Sequence, residues 1–192
     1  PAVEDFMRST NDLDQTADLL VYDAVFSGDL WQMGAGTAKG AFGVQYRDES
    51  LDVKRNEVAT IPGSFIFVGG GINVNESQNV YAVFGELALP LAESLEAQLA
   101  LRYENYGGSI GDTVDPKLAL LWSATDMLSF RGSVSTTFRA PTLHQRYNQE
   151  TNLIPFSDVP KGGGNPSTGF KAADTTGNLD LVPETATTFN VG

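Results

Sequence analysis

A single histidine, no cysteine and 24 acids against 12 bases are what this chain offers to chemistry. His144 lies in Leu143-His144-Gln145. One imidazole without a thiolate leaves no usual zinc set. A Ser-His-Asp triad needs a serine on a strand-turn-helix elbow, and none is read as one. His144 reads as a loop or strand-end residue. Gly69-Gly70-Gly71 and Gly162-Gly163-Gly164 lack the Lys-Ser/Thr of a phosphate loop, so they read as loop tips. Asp12, Asp14 and Asp18 lack the glycine and closing glutamate of a calcium loop and read as a solvated acidic turn. Asn75-Glu76-Ser77 fits a glycosylation triplet, a pattern common by chance. No catalytic residue, metal ligand or cofactor site follows, and the chain reads as non-enzymatic.

A net charge of −12 argues against a nucleic-acid partner, because nothing here neutralises a run of phosphates. Uninterrupted apolar runs such as Leu118 to Trp122 are far too short for a membrane helix, which needs about 20 residues. The chain starts at Pro1 and ends at Gly192 inside a strand-like pattern. Both ends are expected to be cuts in a longer protein.

The elements that would carry any site have a period of two. Leu20, Tyr22, Ala24, Phe26 and Leu30 alternate with polar or small residues, as do Gly40, Phe42, Val44 and Tyr46. The same holds for Tyr81 to Leu89, Leu95 to Tyr103, Leu118 to Trp122 and, with Leu128, Phe130, Val134, Thr136 and Phe138 on the apolar side, the sixth run. Each reads as a strand with one apolar and one polar face. No helical stripe of three turns is found. Connections alternate in length: 31–37, 90–94 and 124–127 are short, 48–78 and 139–184 long, and 105–113 intermediate. An antiparallel meander with turns at one end and loops at the other produces this pattern.

Two architectures fit it. A transmembrane barrel turns its apolar face to lipid and its polar face to the lumen. A soluble sandwich turns the apolar faces inward. Ionisable residues in mid-face favour a wet lumen, and Tyr46, Tyr81, Tyr103 and Trp122 near strand ends fit an aromatic girdle. Glu86, Gln98, Arg102, Lys117 and Arg131 should share one face. There they would form a hydrogen-bonded ladder that braces the wall and receives a plug.

Phe138-Arg139-Ala140-Pro141-Thr142-Leu143, followed after an insertion by Asn178-Leu179-Asp180-Leu181-Val182-Pro183-Glu184-Thr185, resembles the TonB-dependent outer-membrane receptors. In that family a strand ends in an FRAP-type motif, and a GN-x-x-L-x-PE-T/S segment opens the next strand. Leu128, Arg131, Ser133 and Ser135 fit the family's rhythm before the motif. Glu86 with Leu89-Pro90, Leu101-Arg102-Tyr103 with Tyr106, and Pro116-Lys117-Leu118 to Trp122 resemble three further strands in the right order.

The resemblance implies an all-β fold: about seven antiparallel strands of a 22-stranded transmembrane barrel, with residues 1–192 forming part of the barrel domain and no plug domain in the chain. It implies a bacterial outer-membrane location and no cofactor. The function implied is import of a ferric siderophore, cobalamin or a carbohydrate with energy from a TonB complex that acts through the plug. Partners would be outer-membrane lipid and the small ligand. A passive porin-like barrel and a soluble β-sandwich binding module are the alternatives. Residues 48–78, 105–113 and 139–184 would be extracellular. Ligand contacts are expected there at Phe65, Phe67, Asn73, Tyr106, Tyr147, Asn148, Phe156 and Phe170.

Overall fold

The computed structural model describes residues 8–61, 64, 69–158 and 167–192. Seven strands form one antiparallel sheet. In spatial order they are β1 (Leu13–Met33), β2 (Gly36–Arg55), β3 (Val74–Ala92), β4 (Leu95–Gly107), β5 (Gly111–Thr125), β6 (Leu128–Arg139) and β9 (Glu184–Val191). A separate hairpin pairs β7 (Gln149–Asp158) with β8 (Ser167–Thr176). Two short helices complete the set, α1 (Glu57–Thr60) and α2 (Leu143–Tyr147). The predicted meander is what forms, but the insertion after β6 is folded rather than irregular.

The strands outrun their alternating cores. β2 continues to Arg55 and β3 begins at Val74, so the first long loop is shorter than its predicted 48–78. The intermediate connection shrinks to a turn at 108–110, where Gly107, Gly108 and Gly111 have φ of 66°, 53° and 80°. Side chains rarely adopt that conformation, which is why three glycines cluster in five residues.

The described residues fall into two compact units. One is the wall: Leu19–Glu49, Gln78–Pro141 and Asp180–Gly192. The other is a loop unit that takes in the far ends of β1 and β2, the start of β3, and the residues from Thr142 to Leu179. Each has a small cluster instead of a layered core. In the wall it is Val80, Tyr106 and Ile110 with Phe138 and Ala140. In the loop unit it is Leu51, Val53, Val74 and Leu143 with Tyr147.

The register fixes the faces of the wall. Leu87↔Leu99 and Val83↔Tyr103 pair between β3 and β4, Leu99↔Leu118 and Leu95↔Trp122 between β4 and β5, and Leu118↔Val134 and Trp122↔Phe130 between β5 and β6. The large apolar side chains on this face stay exposed, Phe26 at 70%, Tyr22 at 62% and Leu101 at 52%. A soluble sandwich would cover them; here a single sheet leaves an open belt.

Aromatic side chains bound this belt. Tyr22, Tyr46 and Tyr81 form a row with centroids 6.4 and 5.2 Å apart. At the other limit Trp122 stacks on Phe130 at 5.7 Å. On β4 the two levels are marked by Asn105, opposite Tyr81, and Leu95, opposite Trp122, ten residue steps apart. At about 3.3 Å per residue that is about 33 Å along the strand. A barrel strand tilted by about 40° converts it to roughly 25 Å, the height of an outer-membrane apolar band. The tyrosine row sits within the strands, which run on beyond it, and not near their ends as expected for the aromatic girdle of a membrane. Among the described residues no helix is long and apolar enough to cross one.

One face assignment needs correction. β5 and β6 pair as far as Lys117↔Ser135. Beyond that, Thr136 donates to Asp115 Oδ1 at 3.2 Å, and Phe138 meets Tyr106 edge-on at 5.9 Å. Asp115 lies opposite Arg102 on the polar face. Thr136 and Phe138 therefore leave the apolar face that Phe130 and Val134 occupy. The change of face falls where pairing with β5 ends, while pairing with β9 continues to Arg139↔Glu184.

Candidate functional site

The polar face of the wall carries Gln45, Arg47 and Glu49 on β2. It carries Ala82, Phe84, Glu86 and Ala88 on β3, and Glu96, Gln98, Arg102 and Glu104 on β4. Asp115, Lys117, Arg131 and Ser133 continue it on β5 and β6. Period two puts these side chains together, and register brings the strands level.

Towards the end of the wall marked by the tyrosine row, a charged network closes. Glu104 is 3% exposed. Arg47 reaches it from β2 across β3, with Nη2 3.0 Å from Oε2 and Nη1 3.5 Å from Oε1. Arg102 donates to Glu104 Oε1 through Nε. The Tyr106 hydroxyl donates to Oε2 at 2.6 Å and accepts from Arg47 at 3.2 Å. Gln45 Oε1 accepts from both arginines, at 2.9 and 3.0 Å.

Two small residues make room for this. Ala82, opposite Glu104 on β3, is buried. Gly43 lies under the Phe84 ring, which a β-carbon there would overlap, and Arg102 sits 5.4 Å above that ring. A buried carboxylate is costly unless every oxygen is paired. Four donors from three residues meet that need here.

The predicted ladder does not form as drawn. Glu86, Gln98, Arg102, Lys117 and Arg131 do share the polar face. Of these, Arg102 alone joins the network above. Gln98 reaches Glu96 at 3.4 Å, but Glu86, Lys117 and Arg131 make no ion pair with one another. Glu86 and Lys117 lie level across Ala100 and line an open groove of about 400 Å³ with Asp29, Lys39 and Gln98. Lys117 and Arg131 line a second, of about 300 Å³, with Glu96 and Asn190.

Sequence reasoning missed Arg47, Gln45 and Glu104 as partners. Their alternation was visible, but Arg47 and Glu104 sit on strands that are not neighbours, and no local pattern links them.

The expected ligand contacts scatter. Phe65 and Phe67 lie outside the described residues. Asn73 accepts from the Arg55 backbone N–H at 2.8 Å. Tyr106 is a correction: it lies within β4, 7% exposed, and its hydroxyl is committed to Glu104. Tyr147 packs on the loop-unit cluster with Arg146 over its ring. Asn148 is buried, and its amide donates to Glu150 at 2.6 Å, with His144 Nε2 2.9 Å away. Phe156 and Phe170 stand on the β7–β8 hairpin, 41% and 69% exposed, with Lys171 4.1 Å from the Phe156 ring centroid. On β2, the Asp52 carboxylate accepts from Lys54 at 2.7 Å and raises its ammonium above the ordinary lysine value.

Gly107-Gly108-Ser109-Ile110-Gly111 does have the spacing of a nucleophile elbow, which the sequence reading passed over. The structure places it on the β4–β5 turn, between two strands. An elbow needs a strand and then a helix. Among the described residues no acid-histidine cluster fit for a metal occurs.

The motif residues have local tasks. Phe138 and Ala140 enter the wall cluster. Pro141 is buried just after β6 ends, where its missing N–H stops the ladder. Arg139 pairs with Glu184 at 3.0 Å in an exposed position. Half-buried Leu181 and Pro183 lead into β9, where Thr185 pairs with Phe138. Asn178 donates its backbone N–H to Gln145 O at 3.1 Å.

The family model for the TonB dependent receptor-like β-barrel matches residues 3–192. A comparison with curated proteins finds no match. Among solved structures, a ferric enterobactin receptor from Pseudomonas aeruginosa is similar over 92% of this chain and 24% of its own, with TM-score 0.66 and 19% identity. A form of that receptor in complex with enterobactin matches over 89% and 24%, with TM-score 0.64 and 20% identity. The siderophore receptor PirA from the same organism matches over 92% and 29%, with TM-score 0.62 and 14% identity. The chain thus spans about a quarter of those receptors, and at these identities the likeness is one of fold.

Proposed function

The chain belongs to the TonB-dependent receptor β-barrel family, and we propose that it forms wall and outer loops of a receptor that imports a ferric siderophore across the bacterial outer membrane. The observation that carries this reading is the two-faced wall. An exposed apolar belt, about 33 Å along the strands between aromatic rows and roughly 25 Å high if they tilt as barrel strands do, suits lipid, and the opposite face is polar and grooved. Family membership supports the location, since these receptors are outer-membrane barrels. The siderophore comes from the similar receptors, which carry that function in their names.

In this reading the ligand is bound by the loops. It then passes along the polar face once a plug rearranges, with TonB supplying the energy. The open grooves around Glu86, Lys117 and Arg131 are where a plug would dock; the closed network at Glu104 is structural. No covalent step is involved.

The test uses the intact receptor in a strain from which its gene has been deleted. Restoring the gene should restore uptake of radio-iron from ferric enterobactin, and removing TonB should abolish it. Equal uptake with and without the gene would reject this ligand. Uptake that persists without TonB would point instead to a passive pore.

A further inference from the structure

Three polar side chains converge where the chain leaves α2. His144 lies on the helix, Asn148 caps its end, and Glu150 follows at the start of β7. Asn148 Nδ2 donates to Glu150 Oε1 at 2.6 Å and lies 2.9 Å from His144 Nε2, and Nε2 and Oε1 are 3.3 Å apart. An amide nitrogen only donates, so both atoms that face it turn lone pairs towards it. One ring nitrogen and one charged oxygen, from separate elements, thus aim at a single point.

The frame around this point is fixed before anything binds. Thr142 caps α2 with a full capping box: its hydroxyl accepts from Gln145 N at 3.2 Å, and Gln145 Oε1 accepts from Thr142 N at 3.0 Å. Leu143 and Tyr147 anchor the helix on Leu51, Val53 and Val74. The Asn148 backbone donates to His144 O at 3.1 Å and accepts from Gly177 N at 2.7 Å. Glu150 is held by pairing with Thr175 and by a bridge to Gly71. Asn148 is 6% exposed, and its Oδ1 is buried with no hydrogen-bond partner among the described residues. A buried carbonyl oxygen without a donor costs free energy. No donor holds it in that place, and turning the amide over brings Oδ1 to the vertex that Nδ2 occupies.

We infer that His144, Asn148 and Glu150 form a site for a borderline divalent transition ion of the Zn²⁺ kind, which cross-links α2 to β7. The ion takes His144 Nε2, Glu150 Oε1 and, with the amide turned, Asn148 Oδ1. Water completes its shell, because His144 and Glu150 are half-exposed. The three vertices are 2.6, 2.9 and 3.3 Å apart. Donors at about 2.1 Å from one ion, on neighbouring corners of an octahedron, lie about 3 Å apart. An imidazole beside two oxygens favours Zn²⁺ or Ni²⁺ over Ca²⁺, which takes oxygen ligands. One histidine and one acid fall short of a three-membered acid-histidine cluster, so the carboxamide is the deciding third donor. The ion is a cross-link within the chain and not cargo, so the inference does not rest on the siderophore reading.

The test titrates Zn²⁺ into the full receptor, purified in detergent and stripped of metal, and into variants of it. His144→Ala and Glu150→Gln each remove a donor. Each should weaken saturable binding by roughly 100-fold or more, since losing even an outer partner of a metal ligand costs about 10–100-fold. Glu150→Gln keeps the shape of its side chain, so it decides the question if His144→Ala does not fold. Asn148→Asp exchanges the amide oxygen for a charged one and should tighten binding. Saturating Zn²⁺ should also slow amide exchange across residues 143–158 in the parent, and not in His144→Ala or Glu150→Gln. No saturable binding by the parent would overturn the site. Binding that His144→Ala or Glu150→Gln leaves unchanged would place the ion elsewhere in the receptor and overturn it as well. Binding that Asn148→Asp fails to tighten would remove the third donor and with it the site as drawn.

Discussion

Arg47 and Glu104 meet across β3, whereas Glu86 and Lys117 lie level across Ala100 and do not meet. Both pairs sit on the polar face, and the members of each lie on strands that are not neighbours. Arg47 brings a planar fork that grips both carboxylate oxygens, and Arg102, Gln45 and Tyr106 complete the set. Lys117 brings a single strongly hydrated charge and has an open groove beside it. Spanning two strand spacings, about 9.5 Å, it would give up rotamer freedom for a weak exposed ion pair. Opposite charges on one face are therefore not enough, even with an alanine between them; a closed network needs further partners for each acid.

The largest break in this comparison should come from Glu104→Leu. It leaves Arg102 without its acid and Arg47 with Glu49 alone, at 3.4 Å, and removing one partner from a buried ion pair costs about 3–5 kcal/mol. A large fall in the thermal midpoint of the purified receptor is the expected result. Leu99→Arg probes the opposite face near the middle of the belt and should cost about 2–4 kcal/mol, read from refolding into bilayers. If that substitution is neutral, this face does not meet lipid. Gly43→Val pushes Phe84 from beneath Arg102 and should cost about 1–3 kcal/mol as overpacking. Smallest should be Glu86→Gln and Lys117→Met, each within about 0.5 kcal/mol. A loss at these two that matches Glu104→Leu would erase the distinction between closed and open sets.

The belt was legible because an apolar face is a property of each strand by itself. Leu95, Leu99, Leu101 and Tyr103 declare it by alternation alone, whatever strand lies beside them. The ends of pairing at Arg139 and Glu184 were equally local, since Pro141 and Pro183 lack an N–H. Tyr106 was misread as a loop residue because the glycines around it suggest a long connection; in the structure they tighten the turn instead. The phase shift at Thr136 and Phe138 was hidden because nothing in β6 itself departs from alternation. It arises where β5 stops pairing.

By itself the sequence determined that this chain is a meander of two-faced strands and which side chains share each face, because period two is a property of the extended backbone. It also determined where the wall stops and the long insertions begin, because proline and glycine act on their own residues. Only the tertiary structure decided which charges on the polar face meet, since Arg47 and Glu104 are separated by a strand and by 57 positions. It likewise decided that the insertion after β6 returns to its own starting point, because Gly177 finds Asn148 through a backbone hydrogen bond that no side-chain pattern announces.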